Sequence, residues 1–216
     1  MSLDSIVIDN TVFNFFLKIE DLDLSHILRN ILTGSVLVPS EIVNEMSKMK
    51  FRHPEHIPKL ESWKSQIESN YFFKHCHSFD SIVLEFAKKN IDKGEAEAIS
   101  QCIKRRVPHF ITDDTKCIPF IIKNYVDIRI NSSFFLIAIG DISGYIKDFE
   151  KTVYEYHRLM RYGKMNARKK NTYQKKIESE YRQALRLYSL PNNEELISNN
   201  TNIERLVRKY SKGKAD

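Results

Sequence analysis

The chain has 216 residues, 42% of them apolar and 29% charged, which fits an ordinary globular protein with one good core and an extension. Its net charge of +6 is unevenly spread: residues 151–216 hold 16 Lys+Arg against 7 Asp+Glu, leaving 18 against 21 in residues 1–150. The first residues lack a basic region followed by a long apolar one, and the best apolar run, Phe134 to Ile139, is far short of the ~20 residues a membrane span needs, so the expectation is no membrane and a cytoplasmic protein. Three cysteines, Cys76, Cys102 and Cys117, make no disulfide framework, and His75-Cys76-His77 lacks the two separated pairs of a zinc site.

Taken in order, Ser5 to Asp9 reads as a short buried strand that ends in acid. Thr11 to Lys18 follows as a helix, with Val12, Phe13, Phe16 and Leu17 on one side. A second helix is expected over Leu22–Leu32, stopped at Gly34. Val36 to Val38 is a strand ended by Pro39, and Ser40 is placed to cap a helix over Glu41–Met49. A polar helix is expected over Lys59–Ser69 and a strand over Tyr71–Phe73. Asp80 caps a helix to Asn90, and Asp92 with Glu95 has capping-box spacing at the start of the next. Phe110-Ile111 is a strand running into Thr112-Asp113-Asp114, followed by a helix over Thr115–Tyr125. Val126–Ile130 is the last strand, and Asn131 can cap a helix over Ser133–Ile139.

Strands therefore alternate with helices to about residue 140. That is the pattern of an α/β fold, a mainly parallel central sheet flanked by helices. Beyond it the character changes to a helical C-terminal extension. The expected division is residues 1–145 and 146–216. Tyr173, Ile177, Tyr181, Leu185 and Tyr188 form a stripe at helical spacing that reads as packing. Leu190-Pro191 ends that helix, and Ile203–Tyr210 is a final short one. The basic extension suits a polyanionic partner.

Carboxylates fall near the ends of four elements: Asp9, Glu45, Glu95 and the pair Asp113-Asp114. Hard divalent cations such as Mg²⁺ or Mn²⁺ take several oxygen ligands. Acids on separate elements around one cleft supply them, and ligands of open α/β sheets bind outside the carboxyl ends of the strands. Each acid also has a structural alternative. Asp9 and Asp113 or Asp114 can cap helices, Glu95 can belong only to its capping box, and Glu45 can lie on an exposed helix face. Glu97 is expected to face solvent. There is no glycine-rich phosphate loop.

Ile6-Val-Ile-Asp9-Asn-Thr11, Val38-Pro-Ser-Glu-Ile-Val-Asn-Glu45-Met, Asp92-Lys-Gly-Glu95-Ala-Glu-Ala-Ile99 and Ile111-Thr-Asp-Asp114 resemble, in order and spacing, the motifs of a PIN domain. The nearest flavour is the prokaryotic group with a Gly-Glu-Ala-Glu-Ala-Ile segment, over roughly residues 4–145. The resemblance implies a metal-dependent endonuclease, usually a ribonuclease, with Mg²⁺ or Mn²⁺ as cofactor. It implies Asp9, Glu45, Glu95 and Asp114 as catalytic acids, with Asp9, Asp113, Asp114 and Glu95 around the metal. Thr11 and Thr112 would steady them, Thr112 lying close to bound nucleic acid. Partners implied are nucleic acid, RNA before DNA; an antitoxin or other protein, as in toxin–antitoxin pairs; and a second copy, since such domains often pair as dimers. One departure weighs against the toxin role: small PIN toxins continue from Thr-x-Asp to an aromatic residue and stop soon after, whereas Lys116-Cys117 and a long basic tail stand here. Arg168, Lys169, Lys170, Lys175 and Lys176 are the tail's candidates for nucleic-acid contact. The alternative is a non-catalytic nucleic-acid-binding or assembly module using the same fold and tail. A phosphotransfer enzyme with nucleophilic Asp9 ranks lower, because Thr11 stands where such enzymes usually carry a second Asp.

Overall fold

The computed structural model describes residues 3–19, 22–49 and 54–188. The expected helix at Ile203–Tyr210 and the end at Leu190-Pro191 lie outside them. Contacts divide the described residues into two compact units, one running up to Ser133, the other beginning at Phe134. The division falls earlier than residue 145, because the helix beginning at Ser133 passes into the second unit.

The first unit is built on five parallel strands: β1 (Ile6–Ile8), β2 (Val36–Pro39), β3 (Phe73–Cys76), β4 (His109–Ile111) and β5 (Arg129–Asn131). Their spatial order is β3-β2-β1-β4-β5. Every residue of β1, β2 and β4 is buried, as expected of strands covered on both faces. The α/β fold with a parallel sheet flanked by helices is therefore the observed one. On one face Val7, Leu37 and Phe110 pack with Ala98, Ile99 and Cys102 of α6 (Lys93–Arg105) and Ile121 of α7 (Ile118–Asn124). On the other, Phe13 of α1 (Asn10–Leu17) sits 5.4 Å from the Trp63 ring of α4 (Ile57–Glu68) and 6.3 Å from Phe73. The remaining helices of this unit are α2 (Leu24–Ile31), α3 (Ser40–Met49) and α5 (Ser81–Lys88).

Three expected boundaries shift for local reasons. The third strand starts at Phe73, not Tyr71. Tyr71 is 81% exposed, and the pairing runs Val36 with Phe73 to Pro39 with Cys76. The fifth strand starts at Arg129, because Val126 and Asp127 form a turn and Val126 is 83% exposed. The helix after Asp114 waits until Ile118, since the Lys116 N–H donates to Asp114 Oδ1 at 2.8 Å and Pro119 takes the first helical turn, where proline is tolerated.

Two tight features shape the turns. Gly34 packs on the backbone at Asp4, where an added Cβ would overlap the Asp4 carbonyl oxygen, so close approach explains this glycine. Lys59 Nζ donates to the carbonyls of Phe16, Ile19 and Leu22 at 2.7, 2.8 and 2.8 Å. It closes the end of α1 with a cation, the favourable sign for a helix C-terminus.

The second unit contains most of α8 (Ser133–Ile142), α9 (Phe149–Leu159) and α10 (Ala167–Tyr188). The tyrosine stripe of α10 packs inward. Tyr173, Ile177, Tyr181 and Ala184 are buried, and Tyr173 stacks on Tyr156 with centroids 6.2 Å apart. The buried hydroxyls find partners: Tyr173 with His157 Nδ1 at 3.0 Å, and Tyr181 donating to Asp141 Oδ2 at 2.9 Å. Burial lifts the Asp141 carboxyl above its ordinary range, and the Tyr181 hydrogen bond holds it back.

Removing that donor should cost more when Asp141 is charged. The folded pKa of Asp141 lies above its unfolded value, so its contribution is fully present in acid and is lost as pH rises through the folded pKa. We expect Tyr181→Phe to destabilise by about 1–3 kcal/mol at pH 8 and by less at pH 4. Urea melts at the two pH values check this; an equal loss at both would mean that the carboxylate is not the partner that matters.

Candidate active site

Along the sheet the chain runs from β1 outward to β3, then crosses back to β4 and β5 on the other side. The order reverses between β1 and β4, and the crevice beyond the carboxyl ends of such a pair is where ligands of open α/β sheets bind. Asp9 follows β1 and Thr112-Asp113-Asp114 follows β4. The Asp9 N–H donates to the Ile111 carbonyl at 3.0 Å, so the sheet ladder itself carries the first acid alongside the second strand's end.

Asp9 is 5% exposed. Its Oδ2 accepts from the Thr11 hydroxyl at 2.6 Å, the Thr112 hydroxyl at 2.9 Å and the Thr11 N–H at 3.4 Å. The same hydroxyls accept in turn: Asp113 N–H donates to Thr11 Oγ1 and Asp114 N–H to Thr112 Oγ1, each at 3.0 Å. Asp9 is thus both the cap of α1 and the centre of a network that fixes the β4 turn. Burial still outweighs these bonds and pushes its pKa up.

Two helices bring the other acids. Glu45 of α3 is half-buried; burial and then the Asp9 charge raise its pKa, while the Asn10 side chain hydrogen-bonds it. Glu95 is 6% exposed at the start of α6, where it accepts from the Asp92 N–H at 3.3 Å in a capping box. Its pKa is pushed up to about 7 by burial, the Asp9 and Asp114 charges adding to the rise and the Cys117 thiol opposing it. Gly94 makes the approach of α6 to α3 feasible: an added Cβ would stand 3.0 Å from Ile42 Cδ1 and 3.5 Å from Glu45 Oε1.

The expected acids divide into two groups. Asp9, Glu45, Glu95 and Asp114 are electrostatically coupled, Asp9 with Glu45 and Glu95, and Asp114 with Glu95. Asp113, expected at the metal, is engaged by Ser133, whose N–H donates to Oδ1 at 3.0 Å and whose hydroxyl bonds Oδ2. It thereby caps the first turn of α8, the task expected of Asn131. Thr112 is fully buried, with its hydroxyl between Asp9 and the Asp114 N–H. Its hydroxyl serves as internal support, and the side chain expected beside nucleic acid has no exposed surface.

Glu97 corrects an expectation outright. It is 4% exposed, not solvent-facing, and its Oε2 accepts from the Glu41 N–H at 2.8 Å. It therefore caps α3 from a neighbouring helix. Ser40 does not do so; its hydroxyl donates to the Cys76 carbonyl at 2.8 Å. Lys93 completes the seam, 2.5 Å from Glu41 Oε2 and 3.9 Å from Glu97 Oε1, and its hydrogen bond holds the Glu41 pKa down. The signal for Glu97 was the small-residue run Gly94, Ala96, Ala98, which lets other elements close on α6. Asn10 and Cys117, both at the acids, carried no comparable signal.

The donor chemistry fits a hard divalent cation. Every candidate is an oxygen, and the buried Asn10 Oδ1 has no hydrogen-bond partner among the described residues. Among the described residues, however, no group of three or more His, Cys, Asp or Glu side chains is placed so that it could hold a metal ion. Of the tail residues, Arg168, Lys169 and Lys175 are exposed, while Lys170 and Lys176 are half-buried. Among the described residues no helix is long and apolar enough to cross a membrane.

No family model matches this chain. No curated protein and no solved structure matches it either.

Glu95 gives a stability test. Its folded pKa, about 7, lies above the ordinary glutamate value of 4.5, so the fold binds the extra proton and stability falls as pH rises across that window. Glu95→Gln should melt like the parent at pH 4 and higher than the parent at pH 8. Parallel melting curves at all pH values would count against a buried, repelled carboxyl.

Proposed function

We propose that this chain is a metal-dependent endonuclease of PIN type that hydrolyses phosphodiester bonds, RNA before DNA. The observation that carries the reading is the coupling of four carboxylates, from the ends of β1 and β4 and from α3 and α6, at the point where the strand order reverses. The motif resemblance points to the family, and the coupling of the four carboxylates supports reading the motifs together.

Asp9, Glu95 and Asp114, with Glu45 and the Asn10 amide oxygen beside them, would hold Mg²⁺ or Mn²⁺. The bound ion supplies positive charge at the phosphate and lowers the pKa of a water. The chain's own residues do the positioning. Thr11 and Thr112 hold the Asp9 carboxylate in one orientation, and Thr112 also fixes the turn that presents Asp114. Asp113 anchors that turn to Ser133. Without a cation, four acids would repel a phosphodiester; with one, the raised pKa values of Asp9, Glu45 and Glu95 would fall and the charge the acids carry becomes useful. The three cysteines are free and buried, in keeping with a reducing compartment.

Purified protein should cleave labelled single-stranded RNA in Mn²⁺ or Mg²⁺ and not in chelator. Asp9→Asn and Asp114→Asn should lower cleavage by more than the roughly 10–100-fold that outer-shell partners are worth, and Thr112→Val by about that amount. Mn²⁺ should raise the melting temperature of the parent and leave Asp9→Asn unmoved. Full cleavage by Asp114→Asn in metal-free buffer would defeat the proposal. Nucleic-acid binding that survives loss of the acids, without cleavage by the parent, would favour the non-catalytic binding module.

A further inference from the structure

Among the described residues the longest helix of the basic extension is α10. On α10, Arg168, Lys175, Arg182 and Arg186 are all exposed, and so are Thr172 and Ser179 between them. The intervals are four, three, four, three and four residues. At 3.6 residues per turn these six positions fall within about 40° of one line along the helix. Tyr173, Ile177, Tyr181 and Ala184, on the opposite side, are buried. The α10 helix is therefore fixed in rotation by its apolar face, and its cations are presented outward as a row. From Arg168 to Arg186 the row is about 27 Å long, at 1.5 Å per residue.

This row differs from the clusters apparent in the sequence. Lys170 and Lys176 are half-buried, and Lys176 stands 3.9 Å from Glu180. The row contains no acid, and the residues between its cations are short and uncharged. An open groove of about 490 Å³ lies on the same face, lined by Lys175, Glu178, Ser179, Arg182, Gln183 and Arg186. Three of its six lining residues are cations, with one carboxylate at its flank.

We propose that this row is a track for the sugar–phosphate backbone of a polynucleotide, and that it holds the strand whose cleavage is proposed above. The inference rests on that reading for its purpose but not for its chemistry. A linear series of cations with short polar residues between them suits a linear polyanion. An anionic membrane surface suits it less, because an interfacial helix needs an apolar face to insert, and the apolar face of α10 is spent inside its own unit. Arginine, three of the four cations, forms bidentate bonds to phosphate.

The test uses the full chain in chelator, so that binding is read without cleavage. Fluorescence anisotropy measures affinity for a labelled single-stranded RNA, the same DNA sequence and a duplex, from low to moderate salt. The row variant carries Arg168→Gln, Lys175→Gln, Arg182→Gln and Arg186→Gln. A control carries the same charge change on exposed lysines elsewhere: Lys74→Gln, Lys88→Gln, Lys89→Gln and Lys123→Gln. Circular dichroism of both checks that they fold, glutamine being a good helix former.

The row variant should bind at least about tenfold more weakly at 0.1 M salt, with the log–log salt slope shallower by about 3, since each phosphate contact on a single strand contributes about 0.7. The control should stay within about twofold of the parent. The comparison of RNA, DNA and duplex names the preferred strand. Row-variant affinity equal to that of the parent would overturn the proposal. So would an equal loss in the control, which would reduce the effect to net charge, or displacement of the strand by polyglutamate as readily as by unlabelled RNA, which would point to an acidic protein. Cleavage assays separate the two readings. A failed nuclease proposal leaves the parent inert with metal whatever the row does. A failed row leaves cleavage of long RNA unchanged in the row variant.

Discussion

Everything at the candidate site depends on making a buried carboxylate tolerable. Asp9 lies at the end of a strand covered on both faces, with almost no access to water. An isolated charge there would be expensive. Two threonine hydroxyls and local backbone N–H groups relieve the cost, and the hydroxyls are themselves held by the backbone of the β4 turn. One solvation problem thus fixes the relative placement of two strand ends that are about a hundred residues apart in sequence. Glu45 and Glu95 then arrive from helices packed on the same region and share the problem: each is raised first by burial and then by the charge already there. Acids that gain nothing from one another are held together by the fold.

The sheet was legible in the sequence because its strands are short, almost wholly apolar and punctuated by Pro39, Pro108 and acids. β1, β2 and β4 appeared where expected. The outer strands were less so. At Tyr71–Phe73 and Val126–Ile130 the expected segment begins before the paired one, since an edge strand is only partly buried; β3 is buried only at Phe73 and Cys76. The acids were legible as positions but not as roles. Asp9, Glu45, Glu95 and Asp114 are grouped, while Asp113, adjacent to Asp114, is committed to Ser133. Sequence adjacency places two side chains on one turn but does not say which way each points.

Glu97 shows the same limit from the other direction. Its neighbours on α6, Ala96 and Ala98, are small, and every residue from Gly94 to Cys102 is buried. A glutamate in such a stretch cannot be solvated, and it finds a strong donor at the start of α3, with the Lys93 ammonium nearby. A capping residue that comes from another helix leaves no trace in the sequence of the helix it caps. The extension was legible in composition but not in detail. Its lysine clusters are conspicuous in the sequence, yet the rotation of α10 is set by the tyrosine face, and rotation decides which cations are outermost.

Lys59 carries a consequence for how the chain acquires its structure. The ammonium that closes the end of α1 comes from α4, 43 residues after Phe16 and 37 after Leu22. Glycine or a local side chain would end a helix as soon as it forms. Here the Ile19 carbonyl has a local partner in the Leu22 N–H, but the ammonium that gathers all three carbonyls arrives only when α4 docks, and contacts of long sequence separation form late because loop closure precedes them. The end of α1, about two turns from the residues that follow Asp9, is therefore among the last parts of the first unit to become rigid. Amide exchange during refolding would find the N-terminal helix protected at its Asp9 end before its Lys18 end.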